Sequence, residues 1–381
     1  MDLDLTWLLW GLPLAFALGW VASRLDLRQW RMEGRQTPKA YFRGLNHLLN
    51  EQQDQAIDAF IEAVQGDPDT AELHFALGNL FRRRGDYDRA VRVHEHLLAR
   101  ADLGRKDRDR AQHALAMDFL KAGLLDRAES ALHKLEGSAY EGEALMALLA
   151  IAERSRDWPQ AQGFAQRLED THQGSFTPRL AHYLCEEAEL AQSQGDAAEA
   201  MRLLTQAVER APQQARGWMA LSALKSQQGD ARGAFDTLLQ LARQAPQGIP
   251  LAARPLAELA GATGRQREAI ALLEEAQAHA PSLDITEALA TLSHDPAAAR
   301  AHYLRHLERE PSLVVATQWL AGETLSDAAA QKRVQAALDH ASGPLRRYRC
   351  AACGFEARQH FWHCPGCQSW DSYPARRVEE L

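Results

Sequence analysis

The sequence predicts an all-α chain: a superhelix of stacked helix pairs set between an N-terminal transmembrane helix and a small metal-binding tail. Three observations predict it. They are an uncharged apolar run near the N-terminus, a Gly-to-Ala signature that returns along the middle, and four cysteines gathered near the end. The 381 residues are 46% hydrophobic and 25% charged, a composition that folds around a sizeable core rather than staying disordered. The net charge of -8 argues against a protein that coats nucleic acid, which would neutralise phosphates with an excess of Lys and Arg.

The apolar run, Leu5 to Ala22, holds 18 residues without a charge. At the helical rise it would cover roughly 27 Å, enough for a bilayer core. Gly11 and Pro13 are tolerated in a membrane helix, and Trp7, Trp10, Trp20 and Trp30 would suit its two interfaces. A cleaved signal peptide is disfavoured, because Asp2 and Asp4 stand where a basic n-region belongs and no small-x-small site follows. Residues 1–23 therefore read as an anchor and 24–36 as a basic juxtamembrane linker. Arg24, Arg28, Arg31, Arg35 and Lys39 outnumber Asp26 and Glu33, which places the N-terminus outside and the bulk of the chain in the cytoplasm.

Residues 37–340 carry an internal repeat. In "GDYDRA" (Gly85 to Ala90), "GLLDRA" (Gly123 to Ala128), "GDAAEA" (Gly195 to Ala200), "GDARGA" (Gly229 to Ala234) and "GRQREA" (Gly264 to Ala269), a Gly precedes an Ala by five residues. Each Gly can end one helix in the left-handed conformation, and each Ala lets the next helix pack closely. Ala200, Ala234 and Ala269 are spaced by 34 and 35 residues, as are Pro212, Pro246 and Pro281. This resembles the tetratricopeptide repeat, a helix-turn-helix unit of about 34 residues. Its clearest unit runs from Ala71 to Asp102, with Leu77, Gly78, Phe81, Ala90 and Leu97 at packing positions. Eight units and a degenerate last helical pair are expected, with irregularities near Asp102–Asp109, Gly174–Pro178 and Leu283–Glu310. Stacked pairs leave a concave surface that binds other proteins. By resemblance its first helices would present Phe75, Asn79, Arg82, His113 and Met117 to a partner.

Other residues invite blander readings. His94 and His96 are not the i, i+4 pair of a zincin, Cys185 reads as a small packed thiol, and Trp218 sits at a repeat packing position. No phosphate loop, nucleophile elbow or dinucleotide fingerprint occurs, so a scaffold is expected rather than an enzyme.

Four of the five cysteines lie within 18 residues, in a pattern suited to a reducing compartment and a metal rather than to disulfides. Cys350-x-x-Cys353-Gly354 and Cys364-Pro365-Gly366-Cys367 are two knuckles separated by ten residues. Together they supply four thiolates for one tetrahedral ion. The spacing does not distinguish iron from zinc. His360 and His363 are not needed as ligands, and Phe355, Phe361, Trp362 and Trp370 are expected to form a small core over the ion. The pattern resembles the rubredoxin-type fold and the zinc ribbons, and assigns residues 345–375 to a rubredoxin-like domain. Between Pro344 and Arg377 six arginines face Glu356 and Asp371. A docking role for this basic segment, an iron redox protein and a nucleic-acid-binding zinc ribbon are all readings it permits, the last weakened by the acidic chain.

The order of parts, with "LGNLFRRRGDYDRA" (Leu77 to Ala90) and the Tyr348, Arg349, Gly354, Phe355, Trp362, His363 and Pro365 pattern around the cysteines, resembles the lipopolysaccharide assembly protein B family. The resemblance implies a single-pass adaptor of the Gram-negative inner membrane. It implies that the adaptor promotes proteolysis of the lipid A deacetylase LpxC by the membrane protease FtsH. It also implies that the adaptor gathers other lipopolysaccharide-synthesis enzymes and meets a membrane sensor protein, with no nucleic-acid partner.

Overall fold

The structure, a computed structural model, describes residues 13–21, 38–67, 70–293, 295–324 and 326–381. Of the expected anchor and linker, residues 13–21 form helix α1, with exposed side chains; the remaining residues through 37 lie outside the described residues. Among the described residues no helix is long and apolar enough to cross a membrane.

The chain forms two compact units, Met1–Ser155 and Arg156–Leu381. The first continues with α2 (Pro38–Leu49), α3 (Gln53–Gly66), α4 (Ala71–Arg84), α5 (Tyr87–Ala99), α6 (Arg105–Ala122), α7 (Leu125–His133) and α8 (Glu141–Ser155). The second holds α9 (Trp158–Asp170), α10 (Thr177–Ser193), α11 (Ala197–Arg210), α12 (Ala215–Gln227), α13 (Ala231–Gln244), α14 (Ile249–Thr263), α15 (Gln266–His279), α16 (Leu283–Leu292), α17 (Pro296–Leu307), α18 (Leu313–Ala321) and α19 (Ala328–Ser342). It ends in a two-stranded antiparallel ribbon, β1 (Tyr348–Arg349) with β2 (Glu356–Ala357), in register Tyr348 to Ala357.

The repeat signature works as its chemistry suggests. Gly85, Gly123, Gly195, Gly229 and Gly264 all adopt left-handed backbone, with φ between 72° and 88°. The next N–H in each case donates back to the carbonyl five residues earlier, as Asp86 N does to Phe81 O at 2.9 Å and Asp230 N to Lys225 O at 2.9 Å. These bonds satisfy carbonyls that the helix end would otherwise strand. Asp196 and Asp230 then cap α11 and α13 by accepting from Glu199 N and Gly233 N. The paired alanines, Ala90, Ala128, Ala200, Ala234 and Ala269, are all 0% exposed, so a larger side chain at any of them would push two helices apart.

In the first unit Ile57, Phe60, Leu73, Leu77 and Phe81 pack α3 against α4. Phe75 belongs to a neighbouring cluster with Leu97, Leu103 and Ala111 and is 1% exposed, with the Arg110 guanidinium 4.1 Å over its ring. The expectation that Phe75 faces a partner is therefore corrected: α6 covers it. In the second unit two clusters run through α10 to α16, from Leu203 and Leu221 to Leu256 and Leu289. Each fully buried side chain of this kind contributes about 1.5–3 kcal/mol.

Candidate metal centre and its seat on the repeats

The two knuckles have the same local geometry. Gly354 N donates to Cys350 O at 2.9 Å and Cys350 N to Phe355 O; equivalently, Gln368 N donates to Cys364 O at 2.8 Å and Cys364 N to Ser369 O. Gly354 and Gln368 fill the same left-handed position, at φ 78° and 59°. Only the first of these was signalled by a glycine. In each knuckle the first cysteine is buried and the second exposed.

The four Sγ atoms lie within 4.8 Å of one another, with Cys350 to Cys367 at 3.8 Å and Cys353 to Cys364 at 3.7 Å. A metal–sulfur bond of about 2.3 Å in a tetrahedron sets sulfur atoms about 3.8 Å apart, so Cys350, Cys353, Cys364 and Cys367 fit one ion. A four-sulfur shell suits zinc or iron alike. Burial pushes the Cys350 thiol up, but the Ser372 hydroxyl and the knuckle N–H groups outweigh it and bring it to about 6, a ready thiolate. His360 and His363 stand outside the cluster: their Nε2 atoms bond the carbonyls of Tyr373 and Gln368, each at 2.9 Å.

The expected aromatic lid is rearranged. Tyr348 and Tyr373, with Phe361 and Leu251, pack around Cys350 and Cys364, while Phe355 is exposed. Trp362 and Trp370 face the repeats instead. Trp362 packs against the α13–α16 core. Trp370 stacks on buried His182 with centroids 4.7 Å apart and meets Trp158 and Tyr183 edge-on. The ribbon is thus seated on its own repeat helices.

Polar contacts fasten that seat at α10, α12, α16 and α18, and apolar Leu251 supplies the contact from α14 between them. From α10, His182 Nε2 meets Asp371 Oδ1 at 2.8 Å, and beside α12 Gln214 Nε2 donates to Asp371 Oδ2 at 3.0 Å. Arg216, 6% exposed, is held by Glu186 and Glu189 and lies 5.9 Å from the Trp370 ring. At α16, Asp284 accepts two bonds from Arg377, at 2.6 and 2.9 Å, and one from Tyr348 Oη at 3.3 Å. The last turn is also engaged: Glu380 accepts from Leu283 N at 2.7 Å and Glu379 from Leu313 N at 2.5 Å, so each carboxylate caps a helix N-terminus. The sequence reading did not find this seat. His182, Arg216 and Leu251 stand one repeat apart in the chain, a register from which it could have been read.

Most of the basic segment's arginines are committed internally, Arg346 to Glu287, Arg347 and Arg349 to Glu356, and Arg377 to Asp284. In the first unit, Arg82 donates to Asp118 at 2.9 Å, to Ala114 O and to Asn79. His94, 0% exposed, shares Asp118. His113 is half-buried, stacks on Tyr140 at 4.8 Å and lies 3.2 Å from Glu143; Met117 is half-buried beside it. Cys185 is buried, which pushes its thiol up to about 12 and leaves it inert.

Residues 348–373 match the family described as "Rubredoxin metal binding domain", and residues 73–109 match "Tetratricopeptide repeat". Over the full length of both chains the protein is 31% identical to lipopolysaccharide assembly protein B of Escherichia coli K12. It is 26% identical to the protein of the same name in Haemophilus influenzae Rd, over 95% of this chain and 96% of that one. Among solved structures, a tetratricopeptide repeat protein from Parabacteroides merdae aligns over 67% of this chain and 98% of its own, with 14% identity and a TM-score of 0.35.

Proposed function

The chain belongs to the lipopolysaccharide assembly protein B family, and from that premise we propose that it is an adaptor in lipopolysaccharide assembly rather than an enzyme. The observation that carries this is the full-length correspondence with a relative named for lipopolysaccharide assembly, beside a repeat match and a ribbon match within this one chain. The finer reading is an adaptor held at the inner membrane by residues 1–23, with the repeats on the cytoplasmic side. It brings the deacetylase LpxC to the protease FtsH, and its anchor raises the effective concentration of the pair. Asn79, Arg82, His113 and Met117 are the proposed partner-facing residues of the first unit. The ion, held by Cys350, Cys353, Cys364 and Cys367, supplies folding free energy to a segment too short to fold on apolar burial.

The test is deacetylase turnover after the chain is depleted from cells. Its half-life should lengthen and recover when the chain is restored. An unchanged half-life would discard the proteolytic version of the adaptor.

A further inference from the structure

A cleft of about 1260 Å³ opens where the ribbon's final segment crosses the helix ends of the second unit. It is larger than the 300–1,000 Å³ typical of small-molecule pockets. Its floor is apolar, with Leu239, Leu251, Leu272, Trp362 and Tyr373 from four elements. Burial of apolar area there would drive binding.

Three polar features say what would fit. Ser282 lines the cleft and is 1% exposed, yet its hydroxyl has no hydrogen-bond partner; it stands at the N-cap of α16 without capping it, while Glu380 accepts from Leu283 N. The main chain of Pro374, Ala375 and Arg376 forms one wall and makes no hydrogen bond among the described residues. Arg243 and Arg376 line the cleft, are exposed and make no ion pair within 4.0 Å among the described residues, although Arg376 lies near enough to Glu380 to offset part of the burial that raises its pKa. Of the lining carboxylates, Glu268 is paired with Arg265 and Asp371 with His182, which leaves only Glu275 against the two guanidinium groups.

We propose that this cleft binds an apolar peptide segment of a partner protein that carries a carboxylate beside its apolar residues. The peptide main chain would satisfy Ser282 and the 374–376 backbone, its side chains would cover the floor, and its carboxylate would meet Arg243 and Arg376. An acyl chain would fill the same floor but strand those polar groups without partners, at a cost of about 1–3 kcal/mol for each buried one. The inference rests on the adaptor reading only for the source of the peptide. Its test is binding by the purified chain, whereas the adaptor reading is tested by turnover in cells, so the two can fail separately.

The experiment pans a displayed library of random dodecapeptides against the full chain and against the double variant Arg243→Glu, Arg376→Glu. Both arginines are exposed and neither makes an ion pair within 4.0 Å among the described residues, so the variant should fold, and its circular dichroism should match; Arg243→Glu alone, remote from Glu380, serves as the control should the double variant lose structure. Enriched peptides should carry Asp or Glu next to apolar residues. Their affinity, read by fluorescence anisotropy, should fall about tenfold or more on the double variant and on Leu272→Arg. Absence of enrichment, or affinity indifferent to all three substitutions, would overturn the proposal. So would dodecanoate binding with the same arginine dependence while no peptide is selected, since that identifies an acyl site.

Discussion

Arg216 is 6% exposed, with its guanidinium bonded to Glu186 and Glu189 and set beside the Trp370 ring. Removing the cation leaves two carboxylates facing each other, one of them half-buried, under an apolar ring. Arg216→Met should cost about 3 kcal/mol, read as a lower urea midpoint, and Arg216→Lys should restore only part of it, because an ammonium can bond both carboxylates but lacks the planar guanidinium set beside the Trp370 ring. Equal stability of the Met variant would mean the cluster contributes nothing net. Cys364 is different in kind, being 0% exposed and one of the four thiols that fit an ion rather than a fastener. Cys364→Ser, or chelation of the wild-type chain, should remove the ion by elemental analysis and raise amide exchange through 348–376. The helices of the first unit should keep their protection, and unchanged exchange in the ribbon would show that it folds without metal.

At the scale of an element, two glycines in one repeat separate two costs. A Cβ added at Gly85 meets nothing within 4 Å, so Gly85→Ala should cost only the left-handed backbone, about 1 kcal/mol. A Cβ added at Gly78 would lie 2.5 Å from His94 Nε2, and His94 cannot retreat because Asp118 holds its other nitrogen. Gly78→Ala should therefore cost about 3 kcal/mol and loosen α4 from α5; thermal unfolding in the opposite order would contradict this. A second element-scale test concerns His306, which joins α15, α16 and α17 through Gln277 and Thr286. Burial is the main cause that lowers its pKa, more than Glu310 and Glu379 raise it. The unfolded chain thus takes up this proton first. Stability is full above about pH 6.5 and falls as pH drops below it, and His306→Asn should flatten that slope in urea titrations between about pH 7 and 5. The elements were the most legible part of the sequence, because left-handed glycines and close-packed alanines are dictated by local sterics. The second knuckle hid its turn behind Gln368. Phe75 sat at a position that the register alone assigns to the surface, and only the facing Arg110 and Leu103 show it covered.

For the whole molecule, the clustering of the four cysteines could be read from spacing because the C-x-x-C turn is local, whereas the ribbon's seat depends on residues up to 189 positions apart, as between His182 and Asp371. No period or motif announces a contact between one imidazole and one carboxylate so distant in the chain. The seat also bears on the proposed anchor. If the ribbon, the cleft and the repeats fold on their own contacts, residues 1–22 supply location and nothing else. A chain without them should keep its ion, its helical signal and its thermal midpoint, yet fail to shorten deacetylase half-life in cells. Fusing an unrelated single-pass helix of the same orientation should restore turnover, because the gain from tethering is concentration at a surface rather than a specific contact. Full activity of the truncated chain would remove the need for an anchor. Failure of the fused helix to rescue would instead assign residues 1–22 a contact of their own within the membrane.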